Sequence, residues 1–143
     1  MSVLSPVDVL QGMYAAYLAG DRASIDTALA QHFTMFDSDS PNLVAGLDQL
    51  NEVRAERPTH ASAPAPSALT MEHVNVLVRH DTALVTYWLR VDFVGESGEP
   101  TEAAHSRNSA WMIPGGFGWQ IAHLHEESWS RGPASIAHSN TDS

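Results

Sequence analysis

The sequence contains no cysteine and no lysine. Without cysteine the chain cannot form disulfides, use a thiolate nucleophile or bind zinc and iron–sulfur clusters through sulfur. Its seven basic residues are all arginines and face seventeen acidic residues, which gives a formal net charge of -10 at pH 7. A chain this acidic repels phosphate backbones and anionic lipids. We therefore expect neither nucleic acid nor a membrane among its partners.

Targeting signals and long apolar runs are missing as well. No basic N-terminal segment precedes an apolar stretch, and no run approaches the roughly 18 apolar residues of a membrane span. These absences predict a cytoplasmic protein. With 143 residues, of which 43% are hydrophobic and 17% charged, the chain has the size and composition of one globular domain. We assign that domain to residues 1–130 and expect a flexible polar tail over residues 131–143.

Helical periodicity is confined to the first part of the chain. Three helices are predicted, over residues 6–19, 22–31 and about 47–56. Ser5 and Pro6 suit the start of the first helix, and Gly20 suits its end. Asp21 is placed to cap the second helix, so the first two helices should pack as a hairpin.

Strand patterns dominate the second half. Four long strands separated by turn signals are predicted, over residues 69–79, 83–94, 102–113 and 118–129. A short strand is expected at residues 33–36, before a turn-rich segment. The segment from Pro58 to Ala68 is rich in proline, alanine and serine and predicts a mobile crossover or lid. Three helices followed by a meander indicate an α+β fold, with helices covering one face of a curved antiparallel sheet.

Polar and aromatic side chains share faces of the predicted strands, because alternate residues of a strand point the same way. Such faces carry Trp88, Arg90 and Asp92 in the second long strand, and His105, Arg107, Ser109 and Trp111 in the third. Neither face of the last two strands is purely apolar. This pattern is typical of a sheet that lines a cavity on one side and contacts a partner subunit on the other.

His123 and His125 lie two residues apart on the last predicted strand, followed by Glu126 and Glu127. Imidazoles at this spacing point the same way and could chelate a metal ion. The alternative is that they pair with carboxylates at a subunit interface. An isolated pair of histidines is a weak motif. We therefore predict no metal and no cofactor.

Arg90 and Asp37 are the other candidates for chemistry. A buried arginine needs a carboxylate partner or an anionic ligand. For Arg90, an ion pair with Asp92 or Glu126 and a bound ligand are equally compatible with the sequence. Asp37 is a candidate general base, with His105 or Arg107 polarising a carbonyl. Capping or turn formation is the alternative role for Asp37.

Several short runs are distinctive in their order and spacing: Gly20-Asp21, Phe36-Asp37, Asn42 to Asp48, Arg90-Val91, Trp111, and Trp119 to His125. Through them the chain resembles the nuclear-transport-factor-2-like superfamily, also called SnoaL-like or cystatin-like. Within it, the chain is most similar to the association domain of calcium/calmodulin-dependent protein kinase II (CaMKII). The resemblance covers about Leu10 to Gly132. It implies a cone in which a strongly bent sheet wraps around a long first helix, with a pocket at the open end.

The resemblance also implies a ligand site and self-association. Arg90 falls on a pocket arginine that holds a carboxylate, whereas Ser109 and Glu126 replace two further pocket arginines and Arg107 supplies part of the lost charge. The predicted ligand-binding residues are Arg90, Arg107, Trp88, Trp111, Ser109, Glu126 and Tyr14. Such domains commonly form homodimers or higher oligomers through the outer sheet face.

Two functions follow from these observations. The first, which we predict, is a stand-alone module that self-associates and binds a small polar or carboxylate-bearing molecule. The alternative is a cofactor-independent isomerase, dehydratase or polyketide cyclase that uses Asp37 and His105 as pocket acid and base. The sequence has no kinase domain and no basic amphipathic helix for calmodulin, so neither activity is expected.

Overall fold

The computed structural model of the chain describes residues 4–38, 40–56, 64–116 and 118–133. Within these ranges it contains three helices and six strands. In chain order they are α1 (Pro6–Ala19), α2 (Arg22–Ala28), β1 (Leu29–Phe36), β2 (Val44–Ala45), α3 (Gly46–Glu56), β3 (Ala65–Arg79), β4 (Thr82–Val94), β5 (Ala104–Gly115) and β6 (Gly118–Trp129). No helix in these ranges is long and apolar enough to span a bilayer. The predicted α+β class is confirmed.

The first helix, α1, has the predicted bounds because both of its ends carry strong local signals. The Ser5 hydroxyl accepts a hydrogen bond from the Asp8 backbone N–H at 3.1 Å, and the Asp8 carboxylate accepts one from the Ser5 N–H at 3.2 Å. This capping box satisfies two N–H groups that the helix leaves unpaired. Gly20 ends the helix in the left-handed region, with φ of 72°.

The six strands form one sheet in the order β2-β1-β6-β5-β4-β3. Strand β1 runs parallel to β6, and all other neighbours are antiparallel. The prediction of five antiparallel strands was therefore wrong in number and direction. Helix α2 ends at Ala28, so β1 begins at Leu29 and is long enough to pair with β6. The two residues of β2 are too few for a periodic signal.

Strand β3 begins at Ala65, four residues earlier than predicted. The last part of the segment predicted as a crossover or lid is therefore strand, because residues from Ala65 onwards pair with β4. Residues 57–63 of that segment lie outside the described residues. So do residues 134–143 of the predicted tail.

The hydrophobic core lies between α1 and one face of the sheet, which we call the inner face. Leu10 of α1 and three strand residues, Val85, Met112 and Ile121, are completely buried. Burying a side chain of this size contributes about 1.5–3 kcal/mol to stability. The opposite face of the sheet, here the outer face, carries the exposed Trp111 and Trp129.

A β-bulge at Ala122 changes which side chains of β6 reach the core. Trp111 of β5 pairs with His123, whereas the next residue, Met112, pairs with Ile121, so Ala122 is an extra residue. As a result both Ile121 and Leu124 are buried, although they are three positions apart. Strict alternation, which groups Ile121 with His123, is wrong at this point because a bulge shifts the alternation by one residue.

Candidate functional site

A cavity of about 620 Å³ lies between the helices and the inner face of the sheet. Its wall is mostly apolar and includes Met13, Leu50, Leu69, Leu89, Val91 and Phe93. A volume of this size, with an apolar wall and a few polar groups, is typical of sites that bind small molecules. The polar groups that line it come from α1, α2, α3, β6 and the segment after β1.

A buried polar contact links Tyr14, which lines this cavity, to Tyr87, which does not. The hydroxyl oxygens of Tyr14, in α1, and Tyr87, in β4, lie 2.6 Å apart, and the rings meet edge to face. Burial raises the pKa of Tyr14 well above 10, with the charges and hydrogen bond of Tyr87 adding to the shift. Burial also raises the pKa of Tyr87, and its hydrogen bond to Tyr14 opposes the shift. Both hydroxyls are therefore protonated at neutral pH.

Tyr87 belongs to a row of polar side chains that crosses the inner face. It pairs with Asn108 of β5, which pairs in turn with Glu126 of β6. Glu126 lines the cavity, and its negative charge raises the pKa of both tyrosines. The side-chain amide of Asn108 donates to Ser106 Oγ at 3.0 Å, while Asn108 Oδ1 has no hydrogen-bond partner among the described residues. Polar groups are thus concentrated at one part of an otherwise apolar wall.

Charged residues of the helices also reach the cavity. Arg22 of α2 and Arg54 of α3 line it, as does Asp37 in the segment after β1. The Arg54 side chain is only 8% exposed and forms an ion pair of 2.9 Å with Asp26. An arginine buried to this extent needs such a partner. The charge of Arg54 is therefore already balanced by Asp26.

Arg90 lies on the outer face and not at the cavity. Alternation along β4 sends Leu89 and Val91 to the core, so the Arg90 side chain between them points outwards. Its Nε lies 2.9 Å from a carboxylate oxygen of Asp92 on the same face. The expectation that Arg90 points into a pocket was wrong, and the ion pair with Asp92, weighed as an alternative, is what forms.

The other predicted ligand residues of β4 and β5 are also on the outer face. Arg107, Trp88 and Ser109 line a depression of about 420 Å³ that is separate from the cavity. Arg107 is paired with Glu127, and its guanidinium carbon lies 3.8 Å from the ring centre of Trp129. The structure therefore does not bring Arg90 and Arg107 into one pocket with Tyr14.

Trp111 and His105 also fall outside the cavity wall. Trp111 is 49% exposed, and His105 pairs with Arg90 across the outer face. The arrangement of Asp37 with His105 as the acid and base of one pocket was wrong, because only Asp37 lines the cavity. Of the predicted site residues, the cavity brings together Tyr14, Glu126 and Asp37. The ligand-binding roles assigned to the other residues stay predictions.

The two histidines of β6 project to the outer face. His123 Nδ1 lies 2.7 Å from the hydroxyl of Thr34, and both imidazoles pack against the ring of Phe36. In the part of the chain that the structure describes, no three histidine, aspartate or glutamate side chains are grouped so that they could hold a metal ion. The contacts that the structure gives these histidines are therefore to Thr34 and Phe36.

Sequence reasoning missed two residues of the cavity wall, Arg22 and Arg54, and two buried polar residues next to residues of that wall, Tyr87 and Asn108. Tyr87 stands in the otherwise apolar face of β4, between Val85 and Leu89. A hydroxyl in such a row needs a buried partner, and that was a usable signal. For Arg22 and Arg54 the sequence contained no usable signal. Both lie in helices, and the way these helices pack against the sheet cannot be predicted from a sequence pattern.

The sequence of the chain matches the model of one known protein family. The model of the SnoaL-like domain family matches residues 7–128. No curated protein sequence matches the chain.

Comparison with solved structures establishes the fold. The CaMKII hub of S. rosetta is 22% identical, with 90% of this chain and 100% of that chain covered and a TM-score of 0.71. The association domain of C. elegans CaMKII is 21% identical over 85% of this chain and 91% of that one, with a TM-score of 0.68. A ketosteroid isomerase-like protein from Erwinia carotovora atroseptica is 17% identical over 86% and 92%, with a TM-score of 0.63. The resemblance stated from the sequence is confirmed.

Proposed function

The chain belongs to the SnoaL-like domain family, and from that premise we propose that it binds a small molecule in the interior cavity. The observation that carries the proposal is Tyr14, which lines the mostly apolar wall and whose hydroxyl contacts that of the buried Tyr87. The ligand is expected to have an apolar body and one hydrogen-bonding group directed at this pair.

The hydroxyl pair has hydrogen-bonding capacity left for a ligand. Two neutral hydroxyls hold two protons, and the contact between Tyr14 and Tyr87 uses only one of them. The remaining O–H can donate to a carbonyl or hydroxyl oxygen. A donor in surroundings of low polarity forms a stronger hydrogen bond than one in water.

The charges around the cavity affect how tightly the predicted carboxylate-bearing ligand could bind there. Arg54 is already paired with Asp26, so Arg22 is the cation best placed to meet a carboxylate. Glu126 and Asp37 line the same cavity and would repel one. We therefore infer that a neutral ligand binds more tightly than a carboxylate of the same shape.

A second candidate function is cofactor-independent isomerisation. It is favoured by the placement of the Glu126 carboxylate at the same cavity as the neutral Tyr14, whose hydroxyl contacts that of Tyr87. A carboxylate can remove a proton from the carbon beside a carbonyl and return it elsewhere, while a tyrosine O–H stabilises the enolate oxygen. The ketosteroid isomerase-like protein shares the fold. Asp37 is the alternative base.

Self-association is proposed alongside ligand binding. One of the similar structures is named an association domain, and the outer face of this chain exposes Trp111 and Trp129. Exposed aromatic residues on a polar face are typical of interfaces between proteins. We expect copies of the chain to meet at this face.

The ligand proposal is tested with three probes that share one apolar body: naphthol, acetylnaphthalene and naphthoic acid. The measurement is the shift in Tm that each probe causes. Naphthol and acetylnaphthalene should raise Tm more than naphthoic acid, and the rise should be smaller in Tyr14→Phe. Arg90→Gln on the outer face serves as the control and should keep the full rise. A rise that is unchanged in both Tyr14→Phe and Tyr87→Phe would contradict the proposal.

The isomerase candidate is tested separately, by following the conversion of a β,γ-unsaturated ketone into its conjugated isomer by ultraviolet absorbance. Glu126→Gln and Asp37→Asn should each be compared with Arg90→Gln. Turnover that both cavity variants keep would exclude acid–base catalysis by these carboxylates, and it would leave the result on ligand binding untouched.

A further inference from the structure

One edge of the sheet is long, exposed and apolar. Strand β3 ends the strand order and pairs only with β4 among the described residues, whereas the opposite edge is the two-residue β2. Val74, Val76, Leu77 and Val78 of β3 are between 39% and 50% exposed. An edge strand of this kind presents unpaired backbone N–H and C=O groups to any strand that approaches it.

The exposed side chains of this edge lie on both faces of the sheet. Val76 pairs with the buried Val85 and therefore points to the inner face, as does Val78, which pairs with the buried Ala83. Leu77 pairs with Leu84 on the outer face, where Leu84 is itself 40% exposed and pairs with Trp111. A strand added at this edge would thus cover apolar area above and below the sheet.

The exposed part of β3 lacks the residue types that usually protect an edge strand from pairing. Residues 74–78 contain no proline and no charged residue. Natural sheets usually protect an edge with such residues, or with a bulge or a short strand. A bulge of β3 lies directly before this stretch, where His73 has a φ of 52° and the register to β4 shifts between Glu72 and Asn75. From Asn75 to Arg79 every residue pairs with β4 in regular register.

We propose that this edge pairs with the same edge of a second copy, antiparallel, about a two-fold axis at Val76. The two sheets would then join into one of twelve strands. In this register Val74 faces the partner's Val78, and Val76 faces its equivalent. Asn75 then faces the partner's Leu77. All of these pairs keep both side chains on the same face of the sheet, as antiparallel pairing requires.

Charge supports a second copy as the occupant. Glu72 precedes the apolar stretch and Arg79 follows it, so an antiparallel copy brings the acidic end of one strand beside the basic end of the other. A parallel copy would place like charges together. If the axis lay at Leu77 instead, only Val76 and Val78 would face valines of the partner. Arg79 would then lie farther from the partner's Glu72.

The absence of native cysteine makes this register directly testable. At the axis, Cys side chains of Val76→Cys would have Cβ atoms about 4.5–5.5 Å apart, close enough for a disulfide after a small shift. In Val74→Cys or Val78→Cys the equivalent residues would be about 13 Å apart, since four residues of strand separate them. Oxidation with copper phenanthroline should therefore cross-link Val76→Cys but neither of the other two variants. A mixture of Val74→Cys with Val78→Cys should cross-link.

Two charged variants separate this edge from the outer face. In Val76→Lys the partly exposed side chain can reach water, so the fold is kept while pairing is blocked. Trp111→Lys changes the outer face alone. Sedimentation should show that Val76→Lys dissociates the edge-paired dimer, and Trp111→Lys in the Val76→Cys chain should leave the cross-link intact.

Three results would overturn the proposal. They are equal cross-linking of the Val76→Cys and Val74→Cys variants, loss of the Val76→Cys cross-link on adding Trp111→Lys, and unchanged sedimentation of Val76→Lys. The edge proposal adds an interface that is distinct from the outer-face contact proposed above, and it is independent of ligand binding. Neither charged variant touches the cavity wall, so the Tm shifts with naphthol report on the cavity separately.

Discussion

The hydroxyl of Tyr14 in α1 and that of Tyr87 in β4 lie 2.6 Å apart, and through them the helix and the sheet share one polar contact inside an apolar core. This contact fixes the position of α1 relative to β4 more narrowly than apolar packing alone, because a hydrogen bond depends on direction as well as distance. It is also the polar group that a ligand in the cavity would meet.

Removing one hydroxyl of this pair should destabilise the protein. In Tyr14→Phe the Tyr87 hydroxyl loses its partner while it stays buried, which costs about 1–3 kcal/mol. The double variant Tyr14→Phe/Tyr87→Phe should cost less than the sum of the two single variants. Urea unfolding of all four proteins gives the coupling between the residues. Strictly additive losses would show that the hydroxyls do not interact.

Stability should fall at alkaline pH because of the same pair. Both tyrosines have a pKa that is raised in the folded state above the ordinary value of 10.0. The unfolded chain therefore releases these protons first, so the contribution to stability is complete below pH 10 and declines as pH rises above it. The slope should approach about 1.4 kcal/mol per pH unit for each tyrosine.

Urea unfolding between neutral pH and pH 11 measures this slope. The double Tyr→Phe variant should have a shallower slope than the natural chain. Equal slopes in the natural chain and in the double variant would contradict the assignment.

Breaking the ion pair between Arg54 and Asp26 should destabilise the contact between α3 and α2. Asp26→Asn leaves the guanidinium, which is 8% exposed, without its charge partner. Loss of a charge-assisted hydrogen bond at such a site costs about 1.5–3 kcal/mol. On the outer face, Asp92→Asn breaks the exposed pair with Arg90 and should cost less than about 1 kcal/mol. Similar losses of stability in Asp26→Asn and Asp92→Asn would contradict the inference that the buried ion pair stabilises the protein more than the exposed one.

Gly12 within α1 and Gly20 at its C-terminal end should respond in opposite ways to alanine. Gly20 has a φ of 72°, which strains any residue with a Cβ atom, so Gly20→Ala should destabilise by about 1 kcal/mol. Gly12 lies in the exposed middle of the helix with open space around its Cα, so Gly12→Ala should stabilise by about 0.5–1 kcal/mol. Thermal unfolding of both variants measures the contrast, and a shift of the same sign in both would refute it.

The helices were predictable because their ends are marked locally. Ser5, Pro6 and Gly20 define α1 whatever the rest of the chain does. The parallel pairing of β1 with β6 was not predictable, since it joins residues about ninety positions apart and leaves no local pattern. The residues of the site also divide into those that could be predicted from the sequence and those that could not. Tyr14 and Glu126 were named from the sequence, but Arg22 and Arg54 reach the cavity only through the packing of two helices.

The error on Arg90 has a specific cause. The apolar face of β4, with Val85, Leu89 and Val91, could pack only against the helices, so alternation already required Arg90 to point away from them. The family resemblance implies the opposite position for Arg90, inside the pocket. Alternation was the better guide along β4, whereas along β6 it was interrupted by the bulge at Ala122.

That bulge lets β6 carry one inserted residue without exchanging the two surfaces of the protein. Before Ala122 the strand directs Ile121 to the core, and after it the strand directs Leu124 and Glu126 inwards and His125 outwards. If Ala122 were kept but no bulge formed, strict alternation would place Ile121 and His125 on one face, so either the imidazole would enter the core or Ile121 would leave it. Deleting Ala122 would remove the bulge and leave Ile121 and His125 three positions apart, on opposite faces as they are now. Relatives that lack this residue are therefore expected to keep both the lining of the cavity and the chemistry of the outer face.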